Sequence, residues 1–226
     1  MLIPIVQGGL GYFALVLDIS SNVTEYNVLT AATAAGYNAA TDVRSIVVNV
    51  ASGVTVSGST THALRTGVLN AATSLTININ GSVDGYTGAN GGVVAVPGSV
   101  GGDAIYWETS GASVVNVASG ANLRSGGGGG GGGGQRGSRY AEFESKYGCY
   151  GPLVYGSYGS TGAAGGFGIA GSTGGSGSYP SSPPRPFCNV QAPGAGGAGG
   201  AAGFAIRENS NTITVNNSGT IAGTIG

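Results

Sequence analysis

Between Gly156 and Tyr179 glycine returns at every third residue, at positions 156, 159, 162, 165, 168, 171, 174 and 177, so the segment reads GSY-GST-GAA-GGF-GIA-GST-GGS-GSY. Such a period suits a backbone with about 3 residues per turn, the polyproline II helix, which rises roughly 3.1 Å per residue. Glycine along one edge of that helix lets a second backbone come closer than any Cβ would allow. The theme recurs in Gly85-Tyr86-Thr87-Gly88-Ala89-Asn90-Gly91-Gly92, in nine consecutive glycines from Gly126 to Gly134, and in Gly194 to Gly203 with Ala195, Ala198 and Ala201. A polyproline II helix has no internal hydrogen bonds, so its amides must pair with neighbouring segments or water. The expectation is a packed bundle of glycine helices exchanging N–H···O bonds, supplemented by Cα–H···O contacts. A collagen triple helix uses the same period and ranks second, because no proline occurs between Gly156 and Tyr179. Unbroken, that run would extend about 74 Å, long for a compact bundle, and Phe167 and Ile169 mark the expected fold-back.

Composition bears on whether such a chain folds at all. With 48 glycines and 8 prolines, about a quarter of the 226 residues, it sits near the range of low-complexity sequences. Two features oppose disorder: the glycine is periodic, and the intervening segments are rich in Val, Ile, Thr and Asn with only 8% charged residues. The formal net charge of −1 argues against nucleic acid as a partner, since phosphate binding needs clustered Lys and Arg.

The first 20 residues, MLIPIVQGGLGYFALVLDIS, contain an apolar run from Leu10 to Leu17 that is too short to span a bilayer. With no basic flank before it and Asp18 directly after it, the run is a poor signal peptide and reads as a buried strand or docking segment. A short helix comes next, from Asn22 or Thr24 to Gly36, with Asn22 or Thr24 as N-cap, Glu25 in the first turn and Gly36 as the stop. Beyond it lie four related segments: Val47–Gly58, Leu75–Gly85, Val114–Gly126 and Ile213–Gly223. Each is an alternating β-branched run, then Asn or Ser with Gly, then a second short apolar strand. Their unequal spacing argues for β coils or hairpins feeding the bundle rather than a regular solenoid, with Gly85, Gly126 and Gly223 as the points of entry. The expected fold is thus all-β with one short N-terminal helix, its β strand and bend repeats feeding a packed bundle of polyglycine helices. Residues 1–40 form the docking segment and helix, 41–125 the β-repeat region, and 126–226 the glycine-rich bundle, which carries a Tyr/Pro-rich insertion at 135–193 and a final β repeat at 205–226.

The Tyr26-Asn27-Val28-Leu29 segment with its alanine-rich helix, the Asn80–Gly85 and Asn217–Gly223 bends, and the glycine runs together resemble the glycine-rich receptor-binding region of tail-tip, central-fibre and host-specificity proteins of tailed bacteriophages. The triplets are also similar to the distal adhesins of T-even-type long tail fibres, where polyglycine helices pack in layers and display variable loops. The resemblance covers residues 22 to 226. It implies a virion tail protein, assembled in the host cytoplasm and acting outside the cell, that binds a bacterial receptor (an outer-membrane protein or a glycan), often as a homotrimer. Other tail proteins would be its partners through the N-terminal segment. It implies no catalytic residues and no cofactor. A purely structural virion part (baseplate, spike or head decoration) and a capsule depolymerase are the alternatives.

Residues 135 to 193 depart from plain glycine spacers and are the candidate recognition segment. Six of the eleven tyrosines lie between 140 and 179. The candidate receptor-binding residues are Arg136, Arg139, Tyr140, Phe143, Tyr147, Tyr150, Tyr155, Tyr158, Tyr179, Arg185 and Phe187. Tyrosine offers contact area at low side-chain entropy cost, and Tyr/Ser/Gly surfaces are adaptable binders; capping of the glycine layers by the same aromatics stays open beside this reading. Cys149 and Cys188 bracket the insertion, where a disulfide and two free thiols are equally compatible with the sequence. Two cysteines and the distant His62 do not make a zinc pattern. His62 itself falls in a Ser/Thr-rich loop and reads as a polar surface or interface residue. For catalysis, Asp103 and Glu108 lie near one another, but their odd spacing would put them on opposite faces of a strand, and the nine-glycine run lacks the Gly-Lys-Ser/Thr of a phosphate loop.

Overall fold

A computed structural model describes residues 14–92, 94–144, 148–181 and 189–226, with the backbone alone described for 141–144, 148–150 and 189–190. The strands fall into five rungs. The first is β1 (Leu15–Ile19), β2 (Val23–Thr24) and β3 (Tyr26–Asn27), followed by helix α1 (Val28–Ala34). The second is β4 (Ile46–Val50), β5 (Thr55–Ser57) and β6 (His62–Arg65). The third is β7 (Leu75–Ile79), β8 (Ser82–Asp84) and β9 (Asp103–Tyr106). In the fourth, β10 (Ser113–Val117) and β11 (Asn122–Arg124) are separated from β15 (Phe204–Arg207) by an excursion holding β12 (Ser138–Glu144), β13 (Gly148–Tyr155) and β14 (Asn189–Gln191). β16 (Thr214–Asn217), β17 (Thr220–Ala222) and β18 (Thr224–Ile225) form the fifth.

Corresponding strands of successive rungs pair in parallel and build three five-stranded sheets. Their orders are β1-β4-β7-β10-β16, β2-β5-β8-β11-β17 and β3-β6-β9-β15-β18. The repeat is therefore a three-faced solenoid, which corrects the expectation of separate coils or hairpins. Spacing misled because the excursions at 85–102 and 125–203 leave between the second and third faces, without disturbing the register of the rungs. A fifth copy is also present: Leu15-Val16-Leu17-Asp18-Ile19 runs in register with Ile46-Val47-Val48-Asn49-Val50, its Asp18 standing where later copies carry Asn and its Ser21 where the third carries Gly81. Gly223 enters β18, not a glycine run.

Alternation explains the faces. In β4 and β7 every second residue is buried, so Ile46, Val48, Val50, Leu75, Ile77 and Ile79 point inward. Val56, Val83 and Leu123 from the second face, and Leu64, Ile105 and Ile206 from the third, meet them in one fully buried core. Burying one such side chain contributes roughly 1.5–3 kcal/mol, and stacking rungs makes that core continuous. Corners between the first two faces need glycine: Gly53 holds φ +76°, and a Cβ on Gly81 would fall 2.2 Å from the Val54 carbonyl oxygen.

Helix α1 begins later than expected. Its N-cap is Asn27, whose Oδ1 accepts from Thr30 N–H at 3.0 Å. Glu25 lies before the helix, at φ +55°, and instead accepts from Ser59 and Thr60. Those bonds, led by the Thr60 hydroxyl, lower its pKa to about 2. At the other end Gly36 N–H bonds Thr33 C=O and Tyr37 N–H bonds Ala32 C=O, with Gly36 at φ +86°. This is a Schellman stop.

Six extended glycine-rich runs, 85–92, 95–102, 126–137, 156–166, 169–179 and 194–203, lie outside the solenoid and bond to one another through their backbones. The centre is 126–137, not the Gly156 segment that dominates the sequence. Along 126–137 the hydrogen-bond partner changes with a period of three. Gly126, Gly129 and Gly132 donate to 95–102, and Gly128, Gly131 and Gly134 donate to 169–179. The carbonyls accept in turn from 85–92, 156–166 and 194–203. One run is thereby enclosed by five. Each glycine from 126 to 134 is buried, and a Cβ there would lie 1.6–2.1 Å from a carbonyl oxygen of another run. Peripheral runs turn only one residue in three toward the centre, so they keep glycine at that one and carry Ser, Ala, Tyr or Thr elsewhere. The chain reverses between 156–166 and 169–179 at Gly166 to Ile169, where Gly168 adopts φ +71° and donates to Ser125 C=O.

Candidate functional site at the far end of the glycine runs

Runs 85–92, 126–137 and 169–179 travel away from the solenoid; 95–102, 156–166 and 194–203 return. The connections at the far end therefore gather there. Gly137 N–H bonds Ser178 C=O, Gly156 N–H bonds Gly137 C=O, and Gly194 N–H bonds Gln135 C=O. The segments 138–155 and 179–193 thus leave the bundle at one level, with the shorter 92–95 connection below them. β12 and β13 make an antiparallel hairpin, with a register shift between Tyr140 and Glu142, and β14 pairs with β12 on its other side.

Of the sequence candidates, Arg136, Arg139, Tyr140, Tyr155, Tyr158 and Tyr179 meet at this end. The Arg136 guanidinium lies over the Tyr155 ring at 4.1 Å and the Tyr158 ring at 5.1 Å. The Arg139 guanidinium lies over Tyr179 at 4.3 Å. Tyr140, Tyr155 and Tyr158 stay exposed, at 38%, 47% and 53%. Each such stack contributes about 0.5–1 kcal/mol at an exposed site and holds a flat aromatic face beside a fixed positive charge. Phe143 and Tyr150 lie on the hairpin as Cα partners of Cys149 and Glu142. Tyr147, Arg185, Phe187 and Cys188 are outside the described residues, and with Cys188 goes the question of the disulfide.

An open recess of about 280 Å³ lies at the same end, lined by Tyr155, Ser157, Ser178, Tyr179, Pro180 and Ser181 among others. Ser157 N–H donates to Ser178 Oγ at 3.1 Å, and Ser178 N–H to Ser157 C=O at 2.9 Å, which ties the two walls together. These serines were not singled out from sequence. Their signal was present, since Gly156-Ser157-Tyr158 and Gly177-Ser178-Tyr179 are one triplet at both ends of the glycine period. The arrangement offers serine hydroxyls and tyrosine rings: groups that hydrogen-bond polar ligands and stack on planar or ring-shaped ones.

At the base of the bundle the carboxylates are engaged structurally. Asp103, 3% exposed, accepts from Arg207 Nε at 2.6 Å and Nη2 at 3.0 Å and from Phe204 N–H at 2.8 Å. His62 is not a loop residue: it opens β6, stacks on Tyr106 at 4.2 Å, and brings Nδ1 to 3.2 Å from Asp103 Oδ2. Burial raises the Asp103 pKa, but the bonds from His62, Arg207 and the Phe204 amide outweigh it and hold the carboxyl below its ordinary value. Glu108 lies beyond the end of β9, so strand parity does not govern it. It pairs with Arg65 and accepts from Gly67 N–H at 2.9 Å. Burial raises its pKa as well, and Arg65 with the Gly67 amide brings it below the ordinary value. Among the described residues no three His, Cys, Asp or Glu side chains group as a metal site.

A family model described as phage tail fibre adhesin Gp38 matches residues 14–226. No curated protein matches. The fold is similar to that of a chain in the crystal structure of the gp37-gp38 adhesin tip complex of the bacteriophage S16 long tail fiber. That similarity has a TM-score of 0.56 at 21% identity and covers 94% of this chain and 82% of the other.

Proposed function

The chain belongs to the phage tail fibre adhesin Gp38 family, and on that premise we propose a division of labour along its length. The solenoid docks on the tail fibre through residues 1–40, the glycine runs act as a rigid support, and the far end binds a bacterial surface receptor. The runs are polyglycine II helices in this reading; the three-residue alternation of hydrogen-bond partners along 126–137 supports it. Receptor contact falls to Arg136, Arg139, Tyr140, Tyr155, Tyr158 and Tyr179, with Phe143, Tyr147, Tyr150, Arg185 and Phe187 on the same connections. The observation that carries this reading is the convergence of two long connections at one level of the bundle, where Arg136 and Arg139 stack on Tyr155 and Tyr179 at the wall of the recess. Five runs of the same chain already surround the nine-glycine run, so the bundle needs no segment from a second copy. Light scattering distinguishes one 21.7 kDa chain from the homotrimer that the resemblance implies.

The receptor reading is tested with purified protein on cells of the propagating host. The triple variant Arg136→Ala, Tyr155→Ala, Tyr179→Ala should lose cell binding by about 10-fold or more, as expected where Tyr and Arg anchor an interface at about 1.4 kcal/mol per factor of ten, while still assembling on fibres. Wild-type adsorption by that variant would move recognition away from this end.

A further inference from the structure

The outer side of the first face carries one column of side chains in register: Asp18, Asn49, Asn78, Asn116 and Asn216. They form a chain of hydrogen bonds. Asn216 Nδ2 donates to Asn116 Oδ1, Asn116 to Asn78, Asn78 to Asn49, and Asn49 to Asp18 Oδ1, at 2.8, 2.8, 2.9 and 2.8 Å. Every amide therefore points the same way. The reason is Asp18, since an ionised carboxylate can only accept and so fixes the orientation of each amide behind it. At the β1 end the column finishes on an acceptor with a second oxygen to offer.

That same end is an open strand edge. Among the described residues β1 has β4 on one side and no strand on the other. Leu15 N–H bonds Ser45 C=O and Ile19 C=O accepts from Ala51 N–H. By the alternation of a parallel ladder, the N–H and C=O of Val16 and Asp18 then face outward. Such an edge is a template for another strand.

We propose that the fibre partner adds a strand parallel to β1, continuing the first face, and places a hydrogen-bond donor side chain in the Asp18 column. This rests on docking through residues 1–40. The donor is Lys or Arg, which can only donate and so complements the acceptor on which the column ends. A second copy of this chain does not fit: stacked head to tail it would set the Asn216 carbonyl oxygen against the Asp18 carboxylate, acceptor against acceptor. Asp18 thus selects the partner and rejects self-stacking.

The test uses tail fibres purified from particles lacking this adhesin, with binding of the full chain measured by sedimentation. Asp18→Asn accepts from Asn49 and turns its own NH2 toward the partner, donor against donor. It should weaken binding by about 10-fold or more, the scale of a charge-assisted hydrogen bond. Val16→Pro removes an outward N–H without touching the β4 side, where Val16 is 51% exposed, and should abolish binding. Thermal melts verify that both variants fold. Wild-type affinity for Asp18→Asn alongside loss for Val16→Pro overturns the donor assignment. Wild-type affinity for both overturns strand addition at β1. Failure of the unaltered protein to bind fibres removes the docking reading itself.

Discussion

Gly130→Ala is the sharpest test of the enclosed run. A Cβ on Gly130 would sit 1.9 Å from the Gly162 carbonyl oxygen and 2.9 Å from the Ala163 carbonyl carbon. Ordinary contact begins near 3.4 Å, so the 156–166 run must retreat by about 1.5 Å. That retreat breaks the bond from Gly162 N–H to Gly131 C=O, 2.7 Å long, and the one from Ser172 N–H to Ala163 C=O, 2.9 Å long. Overpacking costs about 1–3 kcal/mol and two lost backbone bonds about 1 kcal/mol each, for a total of about 3–5 kcal/mol. In a chain of this size that lowers the melting temperature by roughly 10 °C. Gly92→Ala is the matched control, because nothing lies within 4 Å of its Cβ position; restricting the unfolded chain makes it neutral to slightly stabilising, by about 0.4–1 kcal/mol. Circular dichroism reads the whole molecule, while Trp107, the single tryptophan, is buried at a corner of the solenoid and reports that part alone. Gly130→Ala should lower the circular-dichroism transition and leave the Trp107 transition less affected. If it melts within about a degree of Gly92→Ala, a shift far below that expected for overpacking, the nine-glycine run is not enclosed by its five neighbours.

Asp103→Asn should cost about 2–4 kcal/mol, because it leaves Arg207 facing a neutral amide in a buried site; a urea titration measures it. The Asp103 carboxyl is held below its ordinary value in the folded chain. Its contribution is therefore complete above the unfolded value of about 3.9 and is lost as pH falls through the lower folded value. Melts across the acid range should show the difference between Asp103→Asn and wild type shrinking only at the acid end, and a constant difference would contradict that assignment. Asn27→Ala removes the N-cap of α1 and should cost about 1 kcal/mol, read as a fall in denaturation midpoint. No fall would mean that Thr30 N–H finds water at no cost.

Much of this architecture could be read from the chain in order. The alternation in Ile46–Val50, Leu75–Ile79 and Ser113–Val117 announces strands buried on one side. Gly36 stops a helix, and Phe167 to Ile169 stands where the long triplet run has to reverse. The candidate site was legible in part, as a concentration of tyrosine and arginine between 136 and 179. Ser157 and Ser178 were not visible as partners, because what joins them is an antiparallel pairing of two glycine runs. The solenoid was hidden for a related reason. Two excursions lengthen the third and fourth rungs, and spacing along the chain cannot reveal that strands on either side of a long excursion are neighbours.

Local chemistry, written in the sequence, determined where glycine had to recur and which residues alternate, since both arise from the geometry of one backbone segment. Tertiary packing decided which run lies at the centre. The Gly156 segment is longer and more regular, yet glycine at every third position marks a run with one enclosed edge. Nine glycines in succession mark the run that has neighbours on all sides. Only the assembled bundle says so, because a Cβ is forbidden by the carbonyl oxygens of other segments and not by anything within its own.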